Sequence, residues 1–149
     1  MKQGLGMLVV IILIALVVFL IVRPAQREIA YDYEDGTYRG VFIDKDAIQV
    51  NVQFTLEDNI VTAAGFRYLR RDDNYHLEAE QEPYKSVIQQ YKEALEHLIG
   101  KDINVHLRDL YSPEDIVRTE VAGYTSATIR SSKIISAIRD GLNRGVYGY

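Results

Sequence analysis

The chain of 149 residues contains no cysteine, which excludes a disulfide framework and any thiolate metal site and leaves the redox compartment unmarked. Tryptophan is absent as well, and histidine occurs only as His76, His97 and His106. These three share no H-x-x-x-H spacing, so they read as ordinary surface or boundary residues rather than a zinc set. Acidic residues are missing from positions 1–27, which hold three basic residues, so positions 28–149 carry 14 basic against 21 acidic residues, a net charge of −7. A domain of that sign is a poor match for nucleic acid or for an anionic lipid surface.

What the N-terminus does have is GLGMLVVIILIALVVFLIV, from Gly4 to Val22, without a charge or a proline. At 1.5 Å rise per residue this run covers roughly the 30 Å hydrocarbon core of a bilayer. The expectation is a transmembrane helix over 5–22, an uncleaved signal anchor, within an anchor segment 1–23. A cleaved signal peptide is the rival reading. It would need a shorter apolar stretch and small residues at a cleavage site, whereas the run leads into Arg23-Pro24-Ala25-Gln26-Arg27. Basic residues on both flanks leave the orientation undecided by charge.

A polar tether is expected over 24–34, followed by one domain over 35–149. Thr37 to Ile43 is rich in β-branched and aromatic residues, and Ile48, Val50, Val52, Phe54 and Leu56 alternate strictly with polar neighbours. Ile60 to Leu69 continues after the tight Glu57-Asp58-Asn59 connection, so three strands in an antiparallel meander are predicted. Gly65 within the third suggests a bulge or a close approach. Arg70 to Glu82 is charged and reads as an exposed loop, long enough to lie over a ligand.

Pro83 and Gly100 bracket a helix whose stripe is Val87, Ile88, Tyr91, Leu95 and Leu98. Ile103, Val105 and Leu107 alternate as a short strand, Ser112-Pro113-Glu114-Asp115 starts a brief helix, and Arg118 to Gly123 is expected as a last strand. A final helix from Ser131 to about Asn143 buries Ile134, Ile135, Ile138 and Leu142, with Gly145 beyond its end. The predicted fold class is therefore α+β, an antiparallel sheet packed by helices and preceded by one N-terminal transmembrane helix.

The stretch TSATIRSS places five hydroxyls in eight residues at the entrance to that last helix. Free backbone N–H groups and the positive end of a helix dipole make such a place suitable for a phosphate. Small residues at Ser126 and Ala127 allow close approach, and Arg130 and Lys133 supply charge. The plain alternative is that the hydroxyls only cap the helix.

Here the chain resembles the FMN-binding domain of the flavin-carrying subunits of the sodium-pumping NADH:quinone oxidoreductase and the related Rnf complex. The likeness covers residues 34–145. It rests on Asp35-Gly36-Thr37-Tyr38-Arg39-Gly40, on the Asp58-Asn59-Ile60-Val61 turn, on Thr125-Ser126-Ala127-Thr128-Ile129-Arg130-Ser131, and on the helix from Ile134 to Leu142. The resemblance implies an extracytoplasmic domain at the cell membrane that binds FMN and carries electrons for a membrane electron-transfer protein, rather than a stand-alone enzyme. It also implies Thr128 as the residue that a flavin transferase would esterify to the FMN phosphate. Ser126 stands where the family has glycine and Ala122 where it has aspartate, so covalent and noncovalent attachment both stay open. The expected phosphate contacts are Thr125, Ser126, Ala127, Thr128 and Ser131, with Arg130 and Lys133 assisting and Tyr124 against the ring.

Among the eleven tyrosines, Tyr68 and Tyr84 are weaker candidates for the ring. Glu78, Glu80 and Glu82 read as a solvated run rather than an acid/base pair. The alternative from a different class is a membrane-anchored binding or scaffold module of the same fold that has lost its flavin.

Overall fold

The computed structural model describes residues 30–45, 47–121 and 129–148. The expected span at 5–22 lies outside these, and among the described residues no helix is long and apolar enough to cross a membrane. The residues from Tyr31 onward form one compact unit.

Its frame is a three-stranded antiparallel meander in the order β1 (Gly36–Asp44), β2 (Ala47–Glu57) and β3 (Ile60–Leu69). The alternation in β2 does what a period of two requires, since Val50, Val52, Phe54 and Leu56 are all but inaccessible to solvent. On the opposite face, the Gln53 carboxamide oxygen accepts from Arg39 Nε at 2.8 Å and from Arg67 Nη1 at 3.2 Å. Asp58 and Asn59 form a two-residue connection with φ of 50° and 64°. That conformation suits short polar side chains and matches the twist of a hairpin.

Helix α1 (Tyr84–Glu96) buries Ile88, Tyr91, Ala94 and Leu95, and Gly100 follows its end with φ of 80°. The chain beyond it closes on the start of β3, where Gly100 N–H donates to Val61 O at 2.7 Å and Val61 N–H to Lys101 O at 3.0 Å. Helix α3 (Ser132–Arg144) lays Ile134, Ile135, Ala137 and Ile138 into the same core.

One expected strand is a helix, and the described part of another, Arg118 to Glu120, is irregular, while Ala122 and Gly123 of that expectation lie outside the described residues. Residues 103–106 form a short helix, α2 (Ile103–His106), continued by a 3-10 turn from Leu107 to Tyr111. The alternation of Ile103, Val105 and Leu107 fits a helix equally well once Leu110 is included. Ile103 and Leu110, two helical turns apart, are buried, whereas Val105 is exposed. The Asp102 carboxylate caps the turn by accepting from Asn104 N–H at 2.8 Å. Arg118 to Glu120 also forms no strand. Its amides are taken by a side chain instead, with Arg118 and Thr119 N–H donating to Glu93 Oε2 at 2.6 and 3.0 Å.

Residues 31–34, assigned to the tether from sequence, are bonded to the domain. Tyr31 N–H donates to Asn104 Oδ1 at 3.0 Å, Tyr33 N–H to Asn59 Oδ1 at 2.9 Å, and Tyr38 OH to Glu34 O at 2.5 Å.

A candidate anion cleft

Beside the start of α3 lies a cleft of about 480 Å³ lined by residues from five parts of the chain. Asp44 and Lys45 come from the β1–β2 turn, Gln49 from β2, Arg71 and Tyr75 from the loop after β3, Val87 and Tyr91 from α1, and Arg130 and Lys133 from the start of α3. Four of these are cations and one is an acid. In a domain that is acidic as a whole, this is a local reversal of charge.

Each wall has an identifiable local cause. The β1–β2 pairing shifts register between Phe42 and Ile43, so Phe42 faces Val50 while Ile43 faces Ile48, and Gln49 is the extra residue. The Asp72 carboxylate accepts the N–H groups of Asn74 and Tyr75, both at 2.9 Å, and Arg71 N–H donates to Tyr75 O at 2.8 Å. That closed turn presents Arg71 and Tyr75 together, and its two backbone bonds hold the Asp72 carboxyl below the usual carboxylate range. The Tyr75 ring meets Tyr91 edge-on at 6.2 Å between centroids, in the geometry aromatic quadrupoles prefer. Burial, reinforced by Tyr91, pushes the Tyr75 hydroxyl well above its ordinary range, so it stays neutral.

Tyr91 is nearly fully buried, yet its hydroxyl accepts Arg130 N–H at 3.2 Å and so ties the start of α3 to α1. Lys133 Nζ donates to Gln49 Oε1 at 2.5 Å. Burial, then the Arg130 charge, lower the Lys133 ammonium below an ordinary lysine, with Arg71 adding to the effect and Asp44 opposing it.

Of the residues expected from sequence, Arg130 and Lys133 line this cleft. Tyr124, Thr125, Ser126, Ala127 and Thr128, with Ala122, lie outside the described residues. Ser131 is buried, and its hydroxyl donates to Leu110 O rather than capping α3. Tyr84 stands behind the wall, edge-on to Tyr75 at 6.3 Å, and Tyr68 is exposed elsewhere. The loop from Arg70 does border the cleft, through Arg71 and Tyr75.

Sequence reasoning missed Lys45, Gln49, Arg71, Tyr75 and Tyr91, which no short motif connects. It also missed that two histidines meet. His97 Nε2 and His106 Nδ1 each lie 2.9 Å from Asp109 Oδ2, and Lys101 Nζ lies 2.8 Å from His97 Nδ1. The two ring hydrogen bonds, His97 first, hold the Asp109 carboxyl below the usual range. Among the described residues no group of three or more histidine, aspartate or glutamate side chains is arranged to hold a metal ion. Compared with known protein families, curated proteins and solved structures, the chain finds no match.

Proposed function

We propose that this chain is a membrane-anchored, extracytoplasmic FMN-binding domain that passes electrons to or from a membrane electron-transfer protein. The observation that carries the reading is the cleft. Four cations and the edge-packed Tyr75 and Tyr91 surround about 480 Å³ of space, within the volume range of small-molecule and cofactor sites. A dianionic phosphate and a flat aromatic ring are the two chemistries such a lining suits.

Arg130 and Lys133 would take the phosphate together with Thr125, Ser126, Ala127 and Thr128. Ser131, committed to Leu110 O, supports the start of α3 instead. Arg71 and Lys45 would add positive field, and Tyr75, Tyr91 and Val87 would exclude water from one side of the ring. Bound FMN would supply the one- and two-electron chemistry, and the protein's part is to bind, orient and desolvate it. The apolar run from Gly4 to Val22 supports anchoring in a lipid bilayer. The replacement of the family's glycine and aspartate by Ser126 and Ala122 favours, as the second reading, a module of this fold without flavin.

An absorbance scan of the purified full chain separates the two. Flavin bands, or their appearance on adding FMN, are expected; neither native bands nor uptake would sink the proposal. If flavin is present, mass measurement after denaturation decides the linkage, and any adduct should disappear in Thr128→Ala. Protease added outside intact cells should reach the domain.

A further inference from the structure

The cleft's four cations are not held alike. Among the described residues Lys133 makes its side-chain hydrogen bond to an uncharged group, Gln49 Oε1 at 2.5 Å. Gln49 reaches that place as the residue left over where β1 and β2 change register, while its backbone carbonyl accepts Arg70 N–H at 3.0 Å from the β3 side. The side chain is thus fixed at its root by the sheet and at its tip by the lysine.

A glutamate has the same length and would bind an ammonium more strongly, but it would also cancel the charge. We infer that Gln49 is a positioning residue of the cleft: its neutral amide fixes the Lys133 ammonium in place without neutralising it, leaving the charge available to a phosphate oxygen. The inference rests on the phosphate-binding role proposed for this cleft and assigns the source of its selectivity. Asp44 is the sole carboxylate among the lining residues, set against Lys45, Arg71, Arg130 and Lys133. A second acid at position 49, in direct contact with Lys133, would remove much of the local excess of positive charge. Burial and then Arg130 lower the Lys133 titration, with Asp44 opposing them and Arg71 adding to them.

The test compares Gln49→Glu and Gln49→Met in the full chain. Gln49→Glu should weaken FMN binding by about tenfold or more, because a unit charge placed next to the ammonium acts at short range in a partly desolvated site. Riboflavin, which lacks the phosphate, should bind both proteins alike. Gln49→Met, which releases the lysine without adding charge, should lose less than Gln49→Glu. In parallel, the Lys133 ε-amino group followed by NMR should titrate below ordinary lysine in the native chain and move up in Gln49→Glu.

An FMN affinity for Gln49→Glu within about twofold of native, or a Lys133 titration unchanged by the substitution, would overturn the inference. A native chain that takes up no FMN would overturn the flavin proposal instead, and the Lys133 titration would then decide the role of Gln49 by itself.

Discussion

The two ends of helix α3 are held against the sheet in opposite ways. Toward its C-terminus the helix crosses β1 with backbone against backbone: a Cβ added at Gly40 would lie 1.8 Å from Ala137 O and 2.4 Å from Gly141 N. At its N-terminus Arg130 and Lys133 face a cleft of about 480 Å³, bridged by single hydrogen bonds to Tyr91 and Gln49. The seam and the buried Ile134 and Ile135 together hold the helix, so the site beside its start can stay open. Stability should therefore reside in the seam and this core stripe, and ligand binding in the cleft.

Several substitutions test that division, the most damaging being in the seam. Gly40→Ala should cost about 3 kcal/mol or more, since backbone rather than a flexible side chain must retreat. Denaturant unfolding would measure it, and a cost below about 1 kcal/mol would mean that the seam yields. In the cleft, Lys133→Met should lower FMN affinity by about tenfold while moving the melting midpoint by no more than ~2 °C. A large fall in melting temperature would show that the cleft is structural after all.

Glu93 lies between these extremes. Its carboxylate accepts from Thr119 Oγ1 at 2.5 Å and from the backbone of Arg118 and Thr119, pinning the chain that leads toward the hydroxyl run. Burial alone would push this carboxyl up, but the hydrogen bonds from Thr119 and Arg118 outweigh it and the net shift is downward. A lowered folded-state pKa stabilises above the unfolded value and is lost as pH falls through the folded one. The native domain should accordingly lose stability below about pH 4.5, and Glu93→Gln should flatten that dependence. Glu93→Ala should cost about 1–2 kcal/mol at neutral pH by leaving its donors unpaired. The smallest effect belongs to Gly65. A Cβ there meets nothing within 4 Å and φ is not positive, so Gly65→Ala should stabilise by about 0.5 kcal/mol.

Gly65 also shows the limit of the sequence signal. Glycine inside a strand suggested a bulge or a close neighbour, but the irregular points of β2–β3 lie at Asn51/Val52 and Thr55/Leu56. Gly40, read from sequence only as part of the first strand's motif, is the position with the close approach. The meander was legible because Val50 to Leu56 repeats at two and its turn residues tolerate positive φ. Helix α3 was legible because Ile134, Ile135 and Ile138 repeat at helical spacing. Residues 103–107 were not, because five residues with apolar alternate positions satisfy either period.

The cleft was half legible. Arg130 and Lys133 adjoin the hydroxyl run, so local reasoning reached them. Arg71 and Lys45 stand in charged turns like any others, and Tyr91 belongs to a helical stripe that reads simply as packing. Only the fold brings them together, and no spacing within the chain encodes a meeting of five separate segments.

The bonds of Tyr31 and Tyr33 to Asn104 and Asn59 have a mechanical consequence. They clamp the incoming chain beside the β2–β3 turn, while Asp44 and Lys45 of the cleft sit at the far end of β1. Residues 31–33 therefore belong to the folded unit, and the chain enters that unit at the end of β1 opposite the cleft.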